Sequence, residues 1–192
     1  MTVPEAELRR GKHGLEPAGQ GWFVLNAADA PWIERPGRGF YAEFEGFDGA
    51  ADFSQLGINI TVLAPGEPVG MYHYENAQED FLVLAGEAVL LIEGQERQLR
   101  RWDFVHCPPR TEHIIIGAGD GPAFLIAVGG RTGDGGIVYP VDPAALAHKA
   151  GVEHETTKPP EAYAPFPDAA PTQFNEDYLP AVSPPTAPKS SR

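Results

Sequence analysis

The run Gly70-Met71-Tyr72-His73-Tyr74-Glu75-Asn76-Ala77-Gln78-Glu79-Asp80-Phe81-Leu82-Val83-Leu84-Ala85-Gly86 decides how this 192-residue chain is read. It alternates polar and apolar residues over short stretches and stops at glycine, which is the pattern of a half-buried β-strand. Because residues i and i+2 of a strand face the same way, His73 and Glu75 project together, while Tyr72 and Tyr74 project to the other side. Glu79 opens the next strand on the same side as Phe81 and Val83. The run therefore holds two carboxylates and an imidazole that a single sheet face can collect.

Working outward, strand-like runs follow one another from Leu56 to Gly130. They are Ile58 to Leu63, Gly70 to Tyr74, Asp80 to Leu84, Ala88 to Ile92, Asp103 to Cys107, His113 to Ile116 and Ala123 to Val128, each bounded by Gly, Pro or charged turn residues. Seven short strands at this spacing predict an all-β sandwich or barrel. Composition agrees, since 22 Gly and 20 Pro disfavour long helices.

The segment Trp102-Asp103-Phe104-Val105-His106-Cys107-Pro108-Pro109-Arg110-Thr111-Glu112-His113 ends in a second histidine that a return strand can bring beside the first three groups. His73, Glu75, Glu79 and His113 then form a mixed nitrogen and oxygen set suited to Fe(II), Mn(II), Ni(II), Co(II) or Zn(II).

Together the two runs resemble the paired motifs of the cupin superfamily. In the first motif His-x-His precedes a Glu, and a Gly follows seven residues later, as Gly86 follows Glu79. In the second, a Gly-Asp turn leads through a strand to Pro-x-Gly and then His. The chain departs from these patterns at Glu75, which replaces the second His, at Trp102 and Arg110, which stand in place of glycines, and at Gly117, in place of a late Asn. The resemblance implies a double-stranded β-helix (a jelly-roll barrel of the RmlC-like kind), a homodimer, and a metal held by His73, Glu79 and His113 with Glu75 as fourth ligand or general base. Met71, Phe81, Val83, Val105, Cys107 and Ile115 share the ligands' parity and are expected to line an apolar pocket for a small-molecule ligand; a plain barrel core fits the same pattern. Dioxygenase-type chemistry is the first expectation. A metal-dependent isomerase or lyase and a non-catalytic binding module are the alternatives.

The domain plan is an arm over residues 1–55, the barrel over 56–130, a connecting segment with a short helix over 131–157, and a proline-rich tail over 158–192. A weak helical turn is expected from Pro4 to Arg10 and a strand from Gly21 to Leu25. In the connecting segment Asp142 caps, Pro143 opens and Gly151 ends a helix expected to pack through Leu146 and Val152. Tyr163, Phe166, Phe174 and Tyr178 suggest that the tail straps over a surface, with disorder from Ser183 onward. Trp102 and Arg110 are read either as reshaping the pocket mouth or as variants of turns.

Several functions are disfavoured. A formal charge of −13 argues against nucleic acid. No apolar run approaches the roughly 20 residues of a membrane span, and the first 20 residues carry charges without an apolar core, so a cytoplasmic location is expected. A single cysteine, Cys107, excludes an intrachain disulfide and reads as a small buried hydrophobe. His106 has outward parity, and His13, His148 and His154 lie in the extensions; none is assigned a role. Gly133-Asp134-Gly135-Gly136 lacks the lysine of a phosphate loop. Residues 57–130 contain four Arg and no Lys, which makes a phosphorylated sugar a poor match.

Overall fold

The computed structural model describes residues 2–131 and 136–179. Its strands, in chain order, are β1 (Leu8–Arg10), β2 (Leu15–Pro17), β3 (Trp32–Glu34), β4 (Phe40–Phe44), β5 (Leu56–Leu63), β6 (Tyr74–Glu75), β7 (Glu79–Ala85), β8 (Glu87–Ile92), β9 (Gln95–Arg100), β10 (Phe104–Cys107), β11 (His113–Ala118), β12 (Ala123–Gly130) and β13 (Ile137–Val138). Two short helices, α1 (Pro143–Ala147) and α2 (Pro159–Ala162), and a last strand, β14 (Ala170–Thr172), complete it.

One sheet has seven strands in the order β10-β7-β12-β5-β4-β3-β14. The opposing sheet joins β11, β8 and β9, and an isolated bridge between His73 and His113 attaches the β6–β13 pair to its other edge. Between the sheets pack Leu63, Phe81, Val83, Leu90, Val105, Cys107, Ile115 and Leu125, all buried. This is the all-β double-stranded β-helix that the strand spacing and motifs predict.

Both sheets are covered outside as well, which explains why Ala88 to Ile92 and Ile114 to Ile116 are apolar at every position rather than at alternate ones. Val89, Leu91, Ile114 and Ile116 pack with Tyr72 beneath α1, which contributes Ala145 and is followed by Ala150. The Asp142 carboxylate accepts from the Ala145 amide at 2.7 Å, the expected cap. Leu146, expected to face the sheet, is instead exposed; the turn buries Ala145 because only a small side chain lets the helix sit this close. Val152 is buried, in a separate cluster with Met71, Tyr139 and Ala162.

The seven-stranded sheet is covered outside by the strap. β14 pairs with β3, and Phe174 and Leu179 pack on the cluster of Trp32, Ala42 and Val62. The arms are thus built into the barrel's own sheet through β4, which pairs with β5 over its whole length.

Three local expectations fail. Residues from Pro4 to Arg10 form no helical turn; Leu8–Arg10 is β1, paired with β2, because the charged sequence offers no apolar helical stripe to bury. Gly21 to Leu25 is not a strand beyond a bridge from Trp22 to Glu5. Of Gly70 to Tyr74, only Tyr74 lies in a regular strand, since the chain there meets β11 only through single bridges, Pro68 to Ile116 and His73 to His113, and the Tyr72 amide turns aside to donate to the Ala150 carbonyl. The residues from Ser183 and those at 132–135 lie outside the described residues. No helix among the described residues is long and apolar enough to cross a membrane.

Candidate metal centre

His73 and His113 come from the opposing sheet and Glu79 from the first strand position of β7, so the site stands where the two sheets meet at one end of the barrel. Glu79 Oε2 lies 3.3 Å from His73 Nε2 and 3.3 Å from His113 Nε2. One donor atom from each of the three residues lies within 4.8 Å of the others.

The backbone fixes which nitrogen is available. His73 Nδ1 sits 2.7 Å from the Met71 carbonyl and His113 Nδ1 sits 2.9 Å from the Thr111 carbonyl. A carbonyl only accepts, so each Nδ1 carries the proton, and in the neutral ring each Nε2 presents a lone pair. Such a hydrogen bond from the far nitrogen is what orients a metal-ligating histidine. Glu79 Oε2 and His113 Nε2 are both sealed from solvent, and neither has a hydrogen-bond partner. Two lone pairs and a carboxylate oxygen aimed at one another without a shared proton fit a divalent cation among them.

Without an ion, the charges shift accordingly. Burial lowers the pKa of His113, but the Cys107 side chain and Glu79 outweigh it and raise it to about 9. Burial likewise opposes His73, and Glu79 reverses the direction to a rise. Burial raises Glu79, and the two imidazoles overcome this to hold it well below the usual carboxylate range.

Of the four expected ligands, these three converge. Glu75 stands to one side, with Oε1 3.8 Å from His73 Nε2, and is outside the three-residue cluster. Burial, then the neighbouring Glu79, raises its pKa.

The expected pocket lining divides. Phe81, Val83, Val105, Cys107 and Ile115 are packed on one another in the core between the sheets, the plain-core reading of their parity. Among these Phe81 and Cys107 meet the site: the Phe81 ring is edge-on to His113 with centroids 5.4 Å apart, and the Cys107 side chain bears on the same imidazole. Met71 belongs elsewhere, in the cluster with Tyr139 and Val152. Its parity is right, but it precedes the point where the chain joins the sheet. His106 is exposed and contacts Asp80 at 2.6 Å, as its outward parity predicts.

Trp102 and Arg110 both adopt left-handed backbone conformations, with φ of 76° and 72°. Each is the third residue of a β-turn, closed by Asp103 N–H to Arg100 O at 3.0 Å and by Thr111 N–H to Pro108 O at 3.1 Å. The turns that glycine favours are kept although the glycines are gone. The second one serves the site, because Thr111 supplies the carbonyl that orients His113 and the Arg110 amide donates to the Glu75 carbonyl at 2.7 Å. At Gly117 a side chain has no room, since a Cβ there would lie 2.3 Å from the Ala64 carbonyl oxygen.

Sequence reasoning missed the rings beside the site. Tyr139, fully buried, packs against His73 with centroids 5.9 Å apart, and Tyr163 packs edge-on to Tyr139 at 5.9 Å. Arg38 lies over Tyr163 at 4.4 Å. All three come from outside the barrel segment, Arg38 from the arm, Tyr139 from the connecting segment and Tyr163 from the tail, none of which carries a motif. The count of cations over residues 57–130 therefore omitted the one that the arm delivers.

Residues 59–129 match the family described as Cupin domain. No match was found among curated proteins. Similar solved structures include a protein provisionally named a sugar phosphate isomerase from Acidithiobacillus ferrooxidans (24% identity, TM-score 0.45, covering 54% of this chain and 65% of that one). A cupin protein from Bacteroides fragilis shares 21% identity, with a TM-score of 0.43 and coverage of 49% and 78%. A cupin 2 domain-containing protein from Halorhodospira halophila shares 16%, with a TM-score of 0.46 and coverage of 56% and 72%. This chain thus spans just under two thirds of the first of them. With both sequence motifs, the barrel topology and the family match over the same stretch, residues 59–129 of this chain are a cupin domain.

Proposed function

We propose that the protein is a metal-binding cupin acting on a small organic molecule, with one divalent transition metal (Fe, Mn, Ni, Co or Zn) held by His73, Glu79 and His113. Dioxygenase-type chemistry is the reaction this donor set suits best, because two imidazoles and one carboxylate leave coordination positions open. The observation that carries the reading is the convergence of two Nε2 lone pairs and the Glu79 carboxylate, with Glu79 Oε2 and His113 Nε2 buried and unpartnered. A bound ion would supply Lewis acidity and, where redox-active, electrons for dioxygen.

The chain's own groups have separable tasks. The Met71 and Thr111 carbonyls hold the two imidazoles in one tautomer, Glu79 offsets cationic charge, and the Phe81 ring shields His113 from water. Glu75, with its raised pKa, is placed to hold or release a proton at Oε1 beside the ligand set. Homodimerisation is part of the same proposal, and light scattering reads it directly.

The test is elemental analysis of purified protein, as isolated and after anaerobic loading with Fe(II). About one equivalent is expected, and less than about a tenth in both preparations overturns the metal site. Anaerobic addition of 4-nitrocatechol, a chromophoric bidentate diol, to the Fe(II)-loaded protein should shift the diol's own absorption band if two positions are open; no spectral change removes the dioxygenase reading. The alternatives are a metal-dependent isomerase or lyase and a non-catalytic binding module, in which the same site captures a small molecule without turnover. His113→Ala abolishes turnover in an enzyme and only weakens ligand binding in a module.

A further inference from the structure

Arg38 stands out in a chain of formal charge −13, because it is buried and faces no carboxylate. It is only 9% exposed, and its Nε is sealed without a hydrogen-bond partner. Among the described residues its guanidinium makes no ion pair. Its faces lie against Tyr163 at 4.4 Å and Phe166 at 5.0 Å. Stacking covers the faces of a guanidinium and leaves its edge, where all five N–H donors lie. Neighbouring Arg35 is already engaged by Glu43 at 3.0 Å. The strongest influences on Arg38 are burial, which lowers its pKa, the Arg35 cation and the hydroxyls of Tyr163, Tyr41 and Tyr139; no carboxylate is among them. A buried cation that lies among tyrosine rings and lacks an anion is costly unless a ligand completes it.

We propose that Arg38, stacked on the rings of Tyr163 and Phe166, is an anion subsite that receives the carboxylate of a small organic acid. Tyr163 packs on Tyr139, the ring packed on His73, so the subsite adjoins the metal centre, and the substrate class becomes a carboxylate-bearing small molecule. In naming that class, the proposal rests on the reading of the metal site given above. Binding itself involves no covalent step; the carboxylate takes in-plane hydrogen bonds from the guanidinium edge, a geometry that lysine cannot reproduce.

The experiment titrates metal-free protein with acetate, and separately with phosphate, against chloride at equal ionic strength, following the melting temperature. Acetate is expected to raise it saturably in the wild type. Arg38→Gln should weaken acetate binding about tenfold or more, and Arg38→Lys by several-fold, with circular dichroism unchanged. Arg38→Met should keep or raise the melting temperature in chloride, because it removes an uncompensated buried charge. No saturable response in the wild type, or equal responses in wild type and Arg38→Lys, overturns the subsite. A phosphate response exceeding that of acetate overturns the carboxylate assignment. Because the titration uses metal-free protein, a failure to load metal overturns only the metal reading and leaves the acetate result standing.

Discussion

His73 and His113 exchange both of their backbone hydrogen bonds, His73 N–H to His113 O at 3.2 Å and His113 N–H to His73 O at 2.9 Å. Directly opposed residues on neighbouring strands project to the same face, so this pair sets the two imidazoles side by side with centroids 5.1 Å apart. Glu79 reaches them from the other sheet. A cation held by all three would tie the two sheets together at this point.

Metal loading should therefore stabilise the fold as well as equip the site. With free Zn(II) at about a hundredfold over its dissociation constant, the gain is about 2.7 kcal/mol, roughly 5–10 °C in melting temperature for a chain of this size. Glu79→Gln and His113→Ala should lose the shift, whereas Glu75→Gln should keep most of it, because Glu75 stands outside the three converging donors. Scanning calorimetry with and without zinc checks this. A Glu75→Gln protein that loses the shift as completely as Glu79→Gln would make Glu75 a full ligand.

Metal-free protein should lose stability as the pH rises above neutrality. His113 is raised from 6.5 to about 9 in the folded state, so its contribution is fully present below about pH 6.5 and disappears as the pH climbs through 9. Glu79 is depressed from 4.5, so its contribution is present above about pH 4.5 and is lost on acidification. The optimum lies between these limits, and the alkaline loss should be of order 1–3 kcal/mol. Metal displaces the same protons, so zinc affinity should rise over the interval in which apo stability falls. Melting curves from pH 5 to 9.5 test the sign; a flat profile contradicts it.

The barrel and the three converging side chains, His73, Glu79 and His113, were legible because period-two alternation and turn residues carry them locally, as with Glu79, Phe81 and Val83 on one face of β7. The packing beyond the barrel was not. Leu146 looked like the anchor of α1, but the available gap admits only Ala145, and gap size is not written in the pattern. Arg38, Tyr139 and Tyr163 were invisible as a group, because three separate segments outside the barrel bring them together and none shows a periodicity or spacing of its own. Glu75 had the right parity for a ligand; parity sets the side of the sheet but not the last few ångströms.

The strap should matter to stability through Phe174. Trp32 is almost wholly buried between Phe40 and Phe174, with ring centroids 5.7 and 5.3 Å away. Phe174→Ala uncovers the indole and removes an aromatic pair, at a cost of about 2–3 kcal/mol given that Phe174 is only partly buried. Urea unfolding should show a lower midpoint, with Trp32 emission moving to longer wavelength in the native baseline. An unchanged midpoint would mean that the strap is held by β14 alone.

Two positions with nearly the same backbone angle should respond to substitution in opposite directions. Gly86 has φ of 73°, and a Cβ there would lie 2.3 Å from the Pro122 carbonyl oxygen. Gly86→Ala thus adds left-handed strain to a clash with backbone that cannot swing aside, and should destabilise by more than about 2 kcal/mol. Arg110 has φ of 72° but is exposed, with its side chain in solvent and only its amide engaged, by Glu75. Arg110→Gly relieves about 1–2 kcal/mol of strain and gives back roughly 0.4–1 kcal/mol through the freer unfolded chain, leaving a net gain of up to about 1.6 kcal/mol. Because the amide and the Thr111 carbonyl stay in place, zinc affinity should not change in Arg110→Gly. Paired denaturation and zinc titrations of the two variants test this. A destabilised Arg110→Gly would show that the arginine side chain, and not the turn alone, supports the site.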